Sequence, residues 1–170
     1  MAEFTIEFKM PQDPERRKPE DVNQEMMDKA NGFYQAGSRC AANITLSPNI
    51  TNSLLSPAVV CYAFAIEIYL KLLLRQTLGK DIKGHNLKVL FSILPEETKE
   101  IARKKFASNN LEAEIERVAS AFVDNRYDYE NTNFFGLSTS MLAQIGSALH
   151  NTIKELNPKI GITFENRLAI

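Results

Sequence analysis

A chain of 170 residues with net charge -1, a pI near 6.2, and 24% charged against 44% hydrophobic residues is long enough for one well-cored domain and short for two. Seven Gly and seven Pro exclude a collagen-like or Pro/Gly-rich chain, and the lack of a basic excess excludes a generic nucleic-acid coat, which needs one to displace counterions from phosphates. A local basic patch stays open.

Phe4, Ile6 and Phe8 alternate with polar neighbours, the period of a short strand, and the prolines of "PQDPERRKPED" break regular structure after it. Residues 1–20 are read as an extended segment without the basic and then apolar pattern of a secretory signal. From Val22 to Asn43, Met26, Ala30, Phe33, Ala36, Cys40 and Ala41 recur at helical spacing, with Asp21 as the expected cap. "NITLSPNITNS" reads as a loop, and Ser53 or Ser56 ahead of Pro57 starts a second helix to about Thr77.

That second helix is apolar on nearly every side, as the central member of a bundle should be. Its run from Leu54 to Leu74 has spanning length, yet it carries Pro57, Glu67 and Lys71, and charges at mid-bilayer are costly. The expectation is a buried helix of a cytoplasmic protein with no membrane contact. Gly79 ends it; Leu87, Leu90, Phe91 and Leu94 mark a short helix closed by Pro95. Helices over Glu96–Ala107, with Ile101 and Phe106 inward, and Leu111–Tyr129, with Ile115, Val118, Ala119 and Phe122 inward, come next. The last, Leu137–Leu156, places Leu137, Met141, Ile145, Leu149 and Ile153 at four-residue steps. The sum is an all-α, up-and-down bundle of about six helices over 21–157 with short extended termini, the C-terminal one covering 158–170. Cys40 and Cys61 lack metal-ligand spacing and read as buried free thiols; no metal or cofactor is expected.

Glu67, Lys71 and Arg75 share one stripe of the second helix. One reading is a ladder of surface ion pairs; the other is a half-buried carboxylate that needs a partner, because an unpaired buried charge is costly. Arg126 offers a planar fork of donors for it, as a structural bridge or as a phosphate-binding group, beside Tyr127 and Tyr129, which read as packed rings or a base-stacking platform. Lys71, Arg75, Lys80, Lys83 and Lys88 against Asp81 give a local balance of +4 around His85. A helix starting at Gly84 or His85 would add free amides to this basic corner. The favoured role for His85 itself is an N-terminal cap, with catalysis the alternative.

The segments "AFAIEIYLKLLL", "GHNLKVLFSIL" and "AFVDNRYDYE" together resemble the HEPN superfamily, small helical bundles of prokaryotic defence and toxin systems. The resemblance spans Val22 to Leu156 and places the family's Glu and Lys on Glu67 and Lys71, its loop His on His85, and its Arg-Tyr pair on Arg126 and Tyr127. It implies a homodimer, RNA or nucleotide as ligand, and a nucleotidyltransferase or antitoxin as partner. Many HEPN proteins resemble metal-independent ribonucleases in which an Arg and a following His handle the scissile phosphate. Here the positions after Arg126 are Asn131, Thr132 and Asn133, with no His at that spacing. The expectation is therefore a binding protein without catalysis of its own. The alternatives are a ribonuclease built from His85 and Arg126 with Glu67 orienting the imidazole, and an accessory subunit of a nucleotidyltransferase system. Binding is assigned to Lys71, Arg75, Lys83, His85, Lys88, Arg126, Tyr127 and Tyr129.

Overall fold

The computed structural model describes residues 18–42, 54–107, 110–119 and 138–160. Among them the chain is all-α, with α1 (Pro19–Ala42), α2 (Leu55–Leu78), α3 (Leu87–Ile93), α4 (Glu96–Lys105), α5 (Leu111–Arg117) and α6 (Thr139–Leu156). The central helix is α2: every residue from Ala65 to Leu70 and from Leu72 to Leu74 is buried. It packs most extensively against α1, then against α6 and α3. By length and composition α2 could cross a bilayer, but 72% of its most apolar window is buried inside the fold. Each fully buried Leu or Ile contributes about 1.5–3 kcal/mol, so the stability of the bundle is concentrated on this one helix.

The antiparallel α1–α2 pair is registered by polar and aromatic contacts along its length. Arg75 Nε donates to Asn23 Oδ1 at 3.0 Å, and Tyr69 Oη donates to Asn31 Oδ1 at 2.7 Å. Phe64 and Phe33 stack edge to face with centroids 4.5 Å apart. Two glycines let aromatic rings lie on backbone. A Cβ on Gly37 would sit 2.9 Å from the Tyr62 ring, and one on Gly146 of α6 would sit 2.8 Å from that of Tyr34. Tyr34 also donates its hydroxyl to the Ala143 carbonyl at 3.0 Å, tying α1 to α6; burial, then neighbouring Tyr62, raises its pKa above the ordinary tyrosine value.

Several helix ends differ from the sequence expectation. Pro19 opens α1, with Asp21 in the first turn; the Lys18 carbonyl accepts from Asp21 N and Val22 N. A ring with fixed φ and no amide suits that first position. Leu54 rather than a serine occupies the N-cap of α2, with no side-chain cap bond. Gly79 closes α2 as expected, in the left-handed region at φ 64. Helix α4 ends at Lys105, and Phe106 is buried from the C-cap position. Helix α5 ends at Arg117, where Val118 takes a non-helical C-cap conformation, so Leu111–Tyr129 is not one continuous helix; 120–137 lie outside the described residues. Ser138 caps α6 through Met141 N, and Ile145, Leu149 and Ile153 form its buried stripe. Residues 158–160 turn back rather than extend: Ile160 is buried and its amide donates to the Asn157 carbonyl. The extended segments read over 1–17 and 161–170 lie outside the described residues.

The cysteines also depart from the reading. Cys40 and Cys61 are free thiols but only half-buried, because the buried stripe of α1 runs through Met27, Ala30 and Gly37 and leaves Cys40 at its edge.

Candidate functional site

Glu67 is the one side chain of an acidic or basic residue that is buried among the described residues. Its side chain is 4% exposed, and its Oε1 accepts from Lys71 Nζ at 2.7 Å and from His85 Nδ1 at 3.0 Å. A carboxylate oxygen can only accept, so Nδ1 carries the proton and the outer nitrogen, Nε2, is left for other contacts. The imidazole is 64% exposed. One turn of α2 thus supplies the carboxylate and its lysine, and the loop after α2 supplies the histidine.

The loop reaches back because of two glycines. Gly79 at φ 64 stops α2 and Gly84 at φ 113 redirects the chain just before His85. A residue with a Cβ is disfavoured at either angle. His85 is not the cap of α3. Asn86 is, its Oδ1 accepting from Val89 N at 3.1 Å. The cap moves by one residue because the amide side chain of Asn can bend back to its own helix while the ring of His85 is held on α2.

At the start of α3, where an anion site was expected, three of the amides already have partners. Leu87 N donates to the Ala119 carbonyl, Val89 N to Asn86 Oδ1 and Leu90 N to the Asn86 carbonyl. The basic corner is largely neutralised as well. Lys71 is held by Glu67, Arg75 by Asp81 and by Asn23, and Lys88 by Glu116. Lys80 and Lys83 are exposed and form no ion pair among the described residues. A charge count along the sequence cannot see Glu116, which arrives from α5. Arg126, Tyr127 and Tyr129 lie outside the described residues.

Glu67 Oε2 is buried with no partner among the described residues, as are both amide atoms of Gln76 further along α2. An orphaned carboxylate oxygen in a low-dielectric setting is costly, and it marks Glu67 as a residue held for more than packing.

Two other polar features were not foreseen. His150 of α6 lies edge-on to Tyr69, centroids 5.8 Å apart. Burial lowers the pKa of His150 below the ordinary histidine value, Lys154 lowers it further, and a bond with Asn151 opposes this. Burial raises the hydroxyl pKa of Tyr69, with Tyr34 adding to it. On α4, Arg103 is gripped by Glu112, Glu96 and Glu100 at 2.5–2.7 Å, which holds its guanidinium well above the usual range and lowers the carboxyl of Glu96. A groove of about 210 Å³ lies beside it, with Phe91 and Ile115 among the lining residues.

No protein-family model, no curated protein and no solved structure matches the chain.

Proposed function

We propose that this chain is a HEPN-like helical protein that binds RNA or a nucleotide at the corner where His85 stands over α2, without catalysis of its own. The observation that carries the reading is the fixed imidazole. Glu67 holds Nδ1, so Nε2 is presented outward, on a loop that also carries Lys80 and Lys83, which form no ion pair among the described residues. One oriented ring donor or acceptor and two exposed ammonium groups suit a phosphate and its ribose. The small number of cations at this corner without an ion pair among the described residues predicts a weak salt response. At about -0.7 per phosphate contact for a single strand, two or three contacts give a slope of roughly -1.4 to -2.1 in log affinity against log salt. The resemblance supplies the setting: a cytoplasmic homodimer in a prokaryotic defence or stress system, with a nucleotidyltransferase or antitoxin as protein partner.

A second reading is favoured by the same contact. A carboxylate on Nδ1 is what a general acid or base histidine needs to keep its tautomer and orientation. In the metal-independent ribonuclease alternative, His85 would take the 2'-hydroxyl proton and Arg126 would neutralise charge developing on the phosphate.

One experiment separates them. Fluorescence anisotropy with labelled single-stranded RNA and with mononucleotides, run beside a cleavage assay in EDTA, compares wild type with His85→Ala, Arg126→Ala and Glu67→Gln. The proposal expects binding that weakens several-fold in His85→Ala, with intact RNA throughout. Cleavage lost in both His85→Ala and Arg126→Ala would replace it with the ribonuclease. Absence of binding to every RNA and nucleotide tested would contradict both.

A further inference from the structure

The α1–α2 register brings the two cysteines of the chain together. Contacts step along the antiparallel pair from Asn23 with Arg75, to Asn31 with Tyr69, to Phe33 with Phe64, to Gly37 with Tyr62. Each advance along α1 is matched by a retreat along α2. Three residues past Gly37 the series reaches Cys40 and faces it with Val59, two residues from Cys61 on α2. Their faces agree too: Cys40 follows Phe33 by two helical turns and Cys61 precedes Phe64 by nearly one, so both lie toward the side on which those rings stack.

The α2 side chains also sit close on the α1 backbone there. Packed helices normally lie 8–10 Å apart, while a disulfide needs Cα atoms roughly 4.4–6.8 Å apart. At Gly37 the Tyr62 ring reaches to 2.9 Å of where a Cβ would be, a close approach one turn from Cys40 and adjacent to Cys61. Both thiols are free and half-exposed, within reach of a small oxidant. Burial raises the Cys61 thiol above its ordinary range and nearby Cys40 raises it further, an independent sign that the two sulfurs sense each other.

We propose that Cys40 and Cys61 form a reversible intramolecular disulfide that joins the C-terminal end of α1 to the N-terminal part of α2. The oxidant is a low-molecular-weight disulfide such as oxidised glutathione. One cysteine thiolate attacks a sulfur of that disulfide, forming a mixed disulfide and expelling one small thiolate. The second cysteine thiolate then attacks the protein sulfur of the mixed disulfide and expels the other. The two protons lost by the cysteines end on the two small thiols, so the protein is oxidised by two electrons and the glutathione disulfide is reduced by two. The raised Cys61 thiol makes the reaction faster at alkaline pH.

The test is incubation of the folded chain with oxidised glutathione, followed by intact mass and peptide mapping, beside Cys40→Ser and Cys61→Ser. The expected wild-type product has lost two hydrogens, yields a Cys40–Cys61 cross-linked peptide, returns to the dithiol with dithiothreitol, and melts at a higher temperature than the reduced form. Each serine variant, folded by circular dichroism, should instead keep one glutathione adduct. A wild type that carries two stable adducts, or that links only between chains, would overturn the proposal.

Discussion

Two charged clusters, one on α2 and one on α4, are made of the same residue types and do different things. On α4, Arg103 meets three carboxylates, all within reach of water. On α2, Glu67 meets one lysine and one histidine, but it is buried and one of its oxygens has no partner among the described residues. The α4 cluster has more bonds; the α2 cluster has more at stake. Water and salt screen exposed pairs until they contribute little, whereas a buried carboxylate must keep every partner it has. Burial therefore decides which cluster constrains the chain, and it is the constrained one that fixes an imidazole in place.

The largest effect should come from removing Lys71. Lys71→Ala leaves the buried Glu67 carboxylate with His85 as its one partner among the described residues, at a cost of about 2–4 kcal/mol in urea unfolding. An unchanged midpoint would mean that water reaches Glu67. Glu67→Gln should cost less, about 1–2 kcal/mol, because Lys71 and His85 can both turn to solvent; it should also free the His85 ring, visible as line narrowing of its imidazole resonances.

The two histidines give a smaller contrast, read through pH. His150 is partly buried and its pKa is depressed, so the unfolded chain binds a proton there more readily than the folded one. Its contribution to stability is complete above the unfolded value of about 6.5 and is lost as pH falls through that value to the lower folded pKa. His150→Gln should flatten that part of the stability curve, checked by denaturation at a series of pH values. The smallest effect is expected at Arg103. Arg103→Ala should move the thermal midpoint far less than Lys71→Ala does, and the difference should vanish in high salt. A large, salt-independent loss would put the α4 cluster on the same footing as Glu67.

Much of the bundle was legible from apolar spacing and punctuation. The long apolar run could only be a central helix, and Gly79 and Pro95 stop the helices that precede them. The need of Glu67 for a partner was legible as well, since a carboxylate on an otherwise apolar helix cannot stand alone. Which partner it finds was not. Arg126 lies outside the described residues, and the approach of His85 depends on a loop that turns at Gly84 with positive φ, an angle that a single glycine in a lysine-rich loop does not announce. The pairing of the basic corner was hidden for a related reason. Its cations are consecutive in sequence, while the acids that quench Lys71 and Lys88 come from within α2 and from α5. The half-exposure of Cys40 was missed because the α1 stripe is rotated by one residue, from Met26 to Met27. A glycine against a tyrosine ring shifts a helix face in a way that hydrophobicity alone does not record.

The direct measurement is the tautomer and ligand response of His85, by long-range ¹H–¹⁵N correlation at a pH where the ring is neutral. With Glu67 on Nδ1 and Nε2 presented to ligand, the spectrum should report the Nδ1–H form. The Nε2 signal should move on titration with single-stranded RNA or a mononucleotide, and the tautomer preference should disappear in Glu67→Gln. An Nε2–H ring, or an Nε2 signal that no RNA or nucleotide perturbs, would contradict the assignment of this corner as the binding site.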